Sequence, residues 1–220
     1  IKKADLIEFP DVDLIENTTN VGFGSANNQV FETYNADFYI VINPDVCVTP
    51  GSFKKLAKRL KNEPKNGVLG VKFLYADGRL QETCRRFPTL RSILLRGFLS
   101  EKKAAHFTAI RNYMMAEDFP KSARNVDWVM GSCLFLRAEA IRDVGGFDKK
   151  YFMYYEDIDL CHRLSRAGWN VEYYPEVSWI HHYHRQSARK GQMKLRLAHF
   201  GSALRFLLRR ARADGWTKAF

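Results

Sequence analysis

Two hydrophobic patterns alternate along this chain: short unbroken apolar runs, and apolar positions that recur every three or four residues. The run at residues 38–42 is bounded by polar residues, as expected of a buried strand in a parallel sheet. Residues 50–62 instead predict an amphipathic helix with apolar positions at Phe53, Leu56, Ala57 and Leu60. Because strands and helices of these kinds alternate and no segment repeats, the pattern predicts an α/β domain with a largely parallel sheet.

Other segments complete this alternation. We predict further strands at residues 14–16, 68–75, 126–130, 133–136, 171–174 and 177–180, and helices at 25–34, 90–99, 138–144 and 158–167. The segment 85–125 has little periodicity, so we expect an irregular excursion of the kind that often forms a lid or a binding loop.

The last part of the chain predicts an amphipathic helix with a strongly basic face. Between residues 185 and 218 it contains ten Lys and Arg residues and one acid, Asp214. Two explanations stay open for this helix: it lies on an anionic membrane surface, where each base contributes about 1 kcal/mol, or it simply packs on the domain. Its apolar positions at helical spacing are Met193, Leu197, Phe200, Leu204, Leu207 and Leu208.

Composition narrows the class of protein. A chain of 220 residues with 46% hydrophobic residues can form one packed domain, which argues against a disordered protein. The net charge of +11 favours a phosphate-bearing partner. Aromatic residues are not interleaved with the bases and no nucleic-acid motif is present, so nucleic acid is not a predicted partner.

The four cysteines lack CxxC spacing and indicate reduced core residues of a cytoplasmic protein.

A polar turn, Asn43-Pro44-Asp45, directly follows the predicted buried strand. All three residues are turn formers, and a turn alone would explain them. Ligands of open α/β sheets, however, gather at the carboxyl ends of strands. A carboxylate there can hold a hard divalent cation that in turn binds a diphosphate.

Three acids, Glu156, Asp157 and Asp159, open the predicted helix at 158–167. Acids at a helix start are favoured by the helix dipole, and this explanation is serious for Glu156 and Asp159. The apolar and aromatic run at 152–155 immediately precedes them. A carboxylate beside such walls can have its pKa raised, which suits a general base.

Two further groups point to ligand contact. His181, His182 and His184 cluster at the end of a strand, which favours metal or phosphate contact, although no second cluster supports structural zinc. Gly131-Ser132 interrupts an apolar strand and indicates either a bulge or close approach of the backbone to a ligand. The glycines around Asn20 and Gly22 invite comparison with a phosphate loop but match no dinucleotide fingerprint.

Taken in order, five stretches resemble a family 2 glycosyltransferase of the rhamnosyltransferase-like branch. They begin at Asn20 (NVGFGSANN), Ile42 (INPDV), Gly78 (GRLQETCRRFPT), Val126 (VDWVMGSCLFLRAEAIRDVGGFDKKYFMYYEDIDLCHRLSRAGW) and Tyr173 (YYPEVSWIHH). The resemblance implies the Rossmann-like GT-A fold of nucleotide-diphospho-sugar transferases. It also implies an inverting enzyme that moves a sugar, such as rhamnose, from a nucleoside-diphosphate donor to a hydroxyl of a cell-surface glycan or lipid-linked precursor.

The resemblance also implies roles for individual residues. Asp45 would end the family's Asp-x-Asp motif and bind Mg²⁺ or Mn²⁺, with Asn43 replacing the first Asp. Asp157 would be the catalytic base, with Glu156 beside it. His181, or alternatively His182, would contact the metal or phosphate. The remaining donor or acceptor contacts would come from Asn20, Gly22, Trp128, Gly131 and Ser132.

One departure from the family pattern concerns the start of the chain. The strand, helix and strand that hold the nucleotide in family members have no counterpart here, so we expect an N-terminally truncated catalytic domain at 1–187, followed by the basic amphipathic helix at 188–220. An inactive remnant of such an enzyme and a basic nucleic-acid-binding module stay as alternatives. The expected location is the cytoplasm, at the inner face of the plasma membrane.

Overall fold

The structure, a computed structural model, describes residues 8–182 and 193–219, with the side chains of 193–196 outside the described part. The helices are α1 Phe23–Thr33, α2 Ser52–Asn62, α3 Leu90–Phe98, α4 Glu101–Ala104, α5 Thr108–Met114, α6 Ala138–Val144, α7 Glu156–Arg166, α8 Met193–Asp214 and α9 Trp216–Ala219. The strands are β1 Phe38–Ile42, β2 Val46–Cys47, β3 Asn66–Leu74, β4 Leu80–Gln81, β5 Cys84–Arg85, β6 Arg124–Asn125, β7 Trp128–Val129, β8 Cys133–Arg137 and β9 Asn170–His181. The α/β class predicted from the pattern is confirmed.

A central sheet in the order β1-β8-β3-β9-β2 organises the molecule, with β4 added to β3 and β6 to β9. Strands β5 and β7 form a separate pair. The predicted largely parallel sheet is wrong, because among the described strand pairs only β3 and β9 run parallel. An apolar run specifies burial but not strand direction. Here β8 starts beside the end of β1, since Ile42 pairs with Cys133, and therefore runs back along it.

Helices cover both faces of the sheet, and alternate side chains of its strands serve two apolar clusters. On β8, Leu134 and Leu136 join the cluster beneath α6, α7 and α8, while Cys133 and Phe135 join the cluster beneath α2. Strand β3 alternates in the same way and is buried along most of its length. This two-sided burial explains why these strands read as unbroken apolar runs in the sequence.

Three element predictions change in detail. Residues 14–16 form no strand. The two strands predicted at 171–174 and 177–180 are one strand, β9, in which a register shift against β3 absorbs the intervening residues. The excursion at 85–125 contains three short helices, and the first is fixed by a capping box in which Thr89 and Ser92 satisfy each other's backbone N–H groups.

The C-terminal helix α8 is part of the main core. Ala203, Phe206, Leu207 and Ala211 are buried against the domain, and Phe206 is fully inaccessible. Most of the apolar positions named for this helix point away from that core, as described below. The boundary predicted at 187/188 and the side chain of Met193 lie outside the described residues. Among the described helices, none is both long and apolar enough to cross a membrane.

Candidate active site

Three loops meet at the edge of the sheet where β1 ends. The backbone N–H of Asn43 donates to the carbonyl oxygen of Ser132 at 3.0 Å, which joins the turn after β1 to the turn before β8. The adjacent N–H of Gly131 donates to Oδ2 of Asp157 at 2.9 Å. Hydrogen bonds therefore join the Asn43-Pro44-Asp45 turn to the Gly131-Ser132 turn, and the Gly131-Ser132 turn to the start of α7.

The carboxylate of Asp157 is held in one orientation by the backbone. Its Oδ1 accepts from the N–H of Ile158 at 2.8 Å, and its Oδ2 accepts from Gly131. Burial raises the pKa of Asp157 above its usual range, and the two backbone donors oppose that rise. A side chain at position 131 would stand 3.2 Å from Asp157 Cβ and Oδ2, which explains the glycine. Asp157 itself stays partly exposed, so an incoming group can reach it.

The neighbouring acid, Glu156, differs in its surroundings. Its side chain is buried at 8% exposure, and its Oε2 accepts no hydrogen bond from the described residues. Burial, and next the charge of Asp157, raise the pKa of Glu156 strongly, so it holds its proton more tightly than an ordinary glutamate. The pair therefore combines a buried acid with an accessible one.

Asp159, the third acid of this helix start, is a structural residue. It is inaccessible and pairs with Arg163 Nε at 2.7 Å and Arg209 Nη1 at 2.7 Å. The hydroxyl of Tyr151 also donates to it at 3.2 Å. The carboxylate of Asp159 is therefore engaged by partners inside the protein, in agreement with the structural explanation that the sequence left open.

Backbone strain lies directly before the acids. Tyr154 and Tyr155 have φ values of 65° and 68°, a region that non-glycine residues rarely adopt and that costs about 1–3 kcal/mol each. Packing holds them there: Tyr155 is 6% exposed, and the hydroxyl of Ser202 on α8 donates to the carbonyl of Met153 at 3.0 Å. The surrounding structure thus fixes how the chain enters α7 and where Asp157 lies.

A second charged group forms around Asp45. Strand β2 places Val46 opposite His181 of β9, and Nε2 of His181 lies 3.4 Å from Oδ1 of Asp45. His182 is exposed, and its backbone N–H donates to the carbonyl of Asp45. The geometry therefore favours His181 over His182 as the side chain that faces Asp45. His184 lies outside the described residues.

Gln81 contacts the ring nitrogen of His181 that does not face Asp45. Its amide Nε2 donates to the carbonyl oxygen of His181 at 2.7 Å, so its Oε1 is the group that lies 3.0 Å from His181 Nδ1. In the neutral imidazole, an acceptor at Nδ1 favours the tautomer with its proton there, so Nε2, which faces Asp45, would be the metal-coordinating nitrogen. Sequence analysis missed Gln81, although it lies within the stretch that begins at Gly78.

Asp45 and His181 fit the divalent cation that the resemblance to family 2 glycosyltransferases implies. Oδ1 of Asp45 is buried, lies 3.4 Å from Nε2 of His181 and accepts no hydrogen bond from the described residues, so the two atoms could both serve as ligands. One carboxylate and one imidazole are two ligands, and Mg²⁺ or Mn²⁺ commonly takes the rest from substrate phosphates and water. Within the described residues there is no group of three or more His, Cys, Asp or Glu that would hold an ion alone.

The sequence profile of the family described as "Glycosyltransferase like family 2" matches residues 4–202. The chain belongs to this glycosyltransferase family. A Mycobacterium tuberculosis protein named N-acetylglucosaminyl-diphospho-decaprenol L-rhamnosyltransferase is 34% identical over 99% of this chain and 73% of its own length. Rhamnosyltransferase WbbL of Escherichia coli is 32% identical over 86% of this chain and 71% of its own length.

A solved structure shares the fold of this glycosyltransferase. The mannosyltransferase PcManGT of Pyrobaculum calidifontis, in complex with GDP-Man and Mn²⁺, has a TM-score of 0.51 and 16% identity. The match covers 90% of this chain and 48% of the solved chain, so this glycosyltransferase spans about half the length of that protein. The GT-A fold implied by the sequence is confirmed.

Two predicted donor-contact residues of the glycosyltransferase have clear local roles. Oδ1 of Asn20 accepts from the N–H of Gly22 at 3.0 Å, closing the turn before α1. Gly22 has a φ of 85°, and a Cβ there would lie 2.5 Å from the carbonyl oxygen of Phe152. This turn therefore packs against the segment that leads to Asp157. Their contact with a donor stays a prediction.

Ser132 and Trp128 take different positions. Ser132 lies at the junction of the loops, and its buried Oγ has no hydrogen-bond partner among the described residues, so it can serve a ligand. Trp128 is 4% exposed, and its indole N–H donates to the carbonyl of Arg86 at 3.0 Å. It supports the site from within the core and does not present a free face to a sugar.

Arg85 is a second residue that sequence analysis missed. Its guanidinium lies over the ring of Trp128 at 5.4 Å and over that of Tyr113 at 5.6 Å. Its charge also acts to lower the pKa of Asp157. A cation is thus placed near the candidate base by two aromatic rings that are far apart in sequence, which no local motif indicates.

Proposed function

We propose that this glycosyltransferase moves a sugar, rhamnose, from a nucleoside diphosphate to a hydroxyl of a lipid-linked or cell-surface glycan precursor, with inversion at the anomeric carbon. One observation carries the proposal: Asp157 is held by the Gly131 N–H on the same surface as the turn that bears Asp45. The names of the two rhamnosyltransferases support the choice of sugar, and the decaprenol in the first name supports a lipid-linked acceptor.

Asp157 supplies the base for this reaction. Its raised pKa increases its tendency to take a proton from the acceptor hydroxyl as that oxygen attacks. The oxygen forms its bond to the anomeric carbon from the face opposite the diphosphate, and the bond to the diphosphate breaks with its electron pair. A single displacement of this kind inverts the stereochemistry. The two backbone donors keep the carboxylate aimed without using all of its lone pairs.

Asp45 and His181 are the residues that would hold Mg²⁺ or Mn²⁺. When bound, such an ion offsets the negative charge that builds on the leaving diphosphate. Asp45 would contribute Oδ1, which accepts no hydrogen bond from the described residues, and His181 would contribute Nε2. Ser132 and the turn at Asn43 lie next to them and would line the donor side.

The test combines donor binding with transfer. Calorimetry with a series of nucleoside diphosphates and their sugars, each with Mn²⁺, identifies the donor. Asp157→Asn is then expected to lose about 10²–10⁴-fold in transfer rate while its affinity for the donor is unchanged, because only the base is removed. Glu176→Gln, at an exposed acid of β9, serves as the control and keeps full activity.

The same measurements separate the competing functions. Normal turnover by Asp157→Asn rejects Asp157 as the base. A stable chain that binds no nucleoside diphosphate with Mn²⁺ is the result expected of an inactive remnant. Salt-sensitive retention on DNA without sugar transfer would instead favour the nucleic-acid alternative.

A further inference from the structure

The helix α8 carries a line of exposed apolar side chains. Leu197, Phe200, Leu204 and Leu208 are 65%, 58%, 46% and 38% exposed, and their spacing of three and four residues places them along one side of the helix. We call these four residues the outer face of α8. Contiguous exposed apolar residues of this kind mark an interaction surface more often than isolated ones do.

The outer face is not needed to hold the helix on the protein. On the adjoining side of the helix, Ala203, Phe206 and Leu207 are at most 1% exposed and are buried in apolar clusters. The small residues at 202 and 203 let the helix lie close to the domain, and Phe206 fills the space beneath it. The apolar line on the outside therefore serves something beyond folding.

Cations border the outer face. Lys150, Arg205 and Arg212 line a shallow groove together with Leu204 and Leu208. Arg209 lines the same groove, but its charge is engaged by Asp148 and Asp159. The acid of α8 is Asp214, which pairs with His162, Arg166 and Arg210 and not with Arg205 or Arg212. An apolar line with bases beside it matches a bilayer that has anionic headgroups.

This surface lies next to the candidate base. On α8, the ring of His199 packs against Tyr154 at 5.1 Å and against Tyr155 at 5.3 Å. Those tyrosines directly precede Glu156 and Asp157 in the chain. Phe152, at the start of the same segment, is 45% exposed. A surface that covers the outer face of α8 would therefore lie beside the approach to Asp157.

We propose that the outer face of α8 lies on an anionic bilayer, with Arg205 and Arg212 at the headgroups and the apolar line in the acyl boundary. The proposal rests on the proposed function, because the polyprenyl chain of a lipid-linked acceptor stays in the bilayer while its sugar is brought to Asp157. A second copy of the chain is a poorer occupant, since like charges on both copies would border the same interface.

Vesicle binding tests the surface directly. Sedimentation of the chain with phosphatidylcholine vesicles, with and without about one third phosphatidylglycerol, should show binding to the anionic vesicles that weakens with salt. Arg205→Gln/Arg212→Gln should weaken it roughly 30-fold, following the contribution expected from two bases. Leu204→Ser/Leu208→Ser should weaken it by about tenfold or more.

The control variants remove the same kinds of side chain, basic and apolar, from other helices. Lys54→Gln/Lys58→Gln deletes two exposed bases of α2, and Val30→Ser removes a half-exposed apolar residue of α1. Both should bind as the unchanged chain does. Equal binding by the α8 variants and these controls would overturn the proposal, as would no binding by the unchanged chain. A dimer in analytical ultracentrifugation that Leu204→Ser/Leu208→Ser dissociates would also overturn it and assign the surface to a second copy.

The measurements distinguish failure of this surface from failure of the proposed function. Transfer to a water-soluble, short-chain acceptor needs no membrane, so every α8 variant should keep its rate in that assay. If the chain transfers sugar but does not bind vesicles, the membrane-binding surface is rejected and the proposed function is retained. If the chain binds vesicles but transfers sugar to no acceptor, the proposed function is rejected and the membrane-binding surface is retained.

Discussion

Single residues show most clearly how this site depends on partners that are distant in the chain. Gln81 is 4% exposed, and its side chain forms hydrogen bonds with both the backbone carbonyl and the ring of His181. The side chain lies 100 residues away in sequence from the histidine that it orients. Such a partner raises the ability of an imidazole to bind metal, and its loss typically costs 10–100-fold in metal affinity, in order-of-magnitude terms.

We therefore expect Gln81→Leu to weaken Mn²⁺ binding by about 10–100-fold, because His181 loses the acceptor that fixes its tautomer. Titration of Mn²⁺ in the presence of the donor's nucleoside diphosphate, followed by electron paramagnetic resonance, measures this directly. Gln29→Leu, on α1, where the side chain hydrogen-bonds Asn17, is the control. Unaltered Mn²⁺ affinity in a folded Gln81→Leu variant would show that the histidine does not depend on the glutamine.

At the scale of elements, the contact between α7 and α8 determines where the candidate base lies. Arg209 of α8 reaches Asp159 of α7 at 2.7 Å and Asp148 at 2.6 Å. His162 of α7 reaches Asp214 at the end of α8 at 2.9 Å. These pairs join α7, which bears Asp157, to α8, which carries the outer face. A shift of one helix would therefore move the other.

Arg209→Met is expected to destabilise the protein by roughly 2–3 kcal/mol, because the inaccessible Asp159 then keeps only Arg163 and Tyr151 as partners. Urea unfolding followed by circular dichroism gives the free energy of unfolding. Arg212→Met, one turn away and exposed, should change it by less than about 0.5 kcal/mol. If both variants unfold at the same urea concentration, the buried ion pairs do not join the helices as described.

At the scale of the whole molecule, the raised pKa values of Glu156 and Asp157 make stability depend on pH. Burial raises the pKa of Glu156 above its ordinary value of 4.5, and that of Asp157 also rises. Between the ordinary and the raised pKa, the folded chain binds more protons than the unfolded chain. The free energy of unfolding therefore falls as pH rises through that window, because a proton must leave or a charge must stay buried.

Glu156→Gln removes the buried ionisable group and should raise the melting temperature at about pH 8, by about 2–4 °C for each kcal/mol recovered. At about pH 5 the wild-type carboxyl is largely protonated in the folded state, so the difference should shrink. Thermal unfolding at both pH values measures the effect, with the exposed Glu176→Gln as control. A difference that does not change with pH would mean that Glu156 is already ionised in the folded protein.

Local sequence patterns determined several elements and the candidate acids. Strand β1 at Phe38–Ile42 and helix α6 at Ala138–Val144 have the predicted bounds, since a buried run and a short helix depend mainly on their own residues. The turn with Asp45 is indicated by the buried strand before it, and the acids around Asp157 by the aromatic run before them and the predicted helix that they open. Their roles stay predictions, and the structure contributes the hydrogen bonds that bring their loops together.

Tertiary structure alone decided the direction of the strands, which of His181 and His182 faces Asp45, and the contacts that Gln81 and Arg85 make. Each depends on a partner remote in sequence, which local periodicity does not encode. The helix α8 shows the reason most plainly. A repeat of 3.6 residues reveals that Leu197, Phe200, Leu204 and Leu208 share one side, but only the packed core, closed by Ala203 and Phe206, decides that this side faces outward.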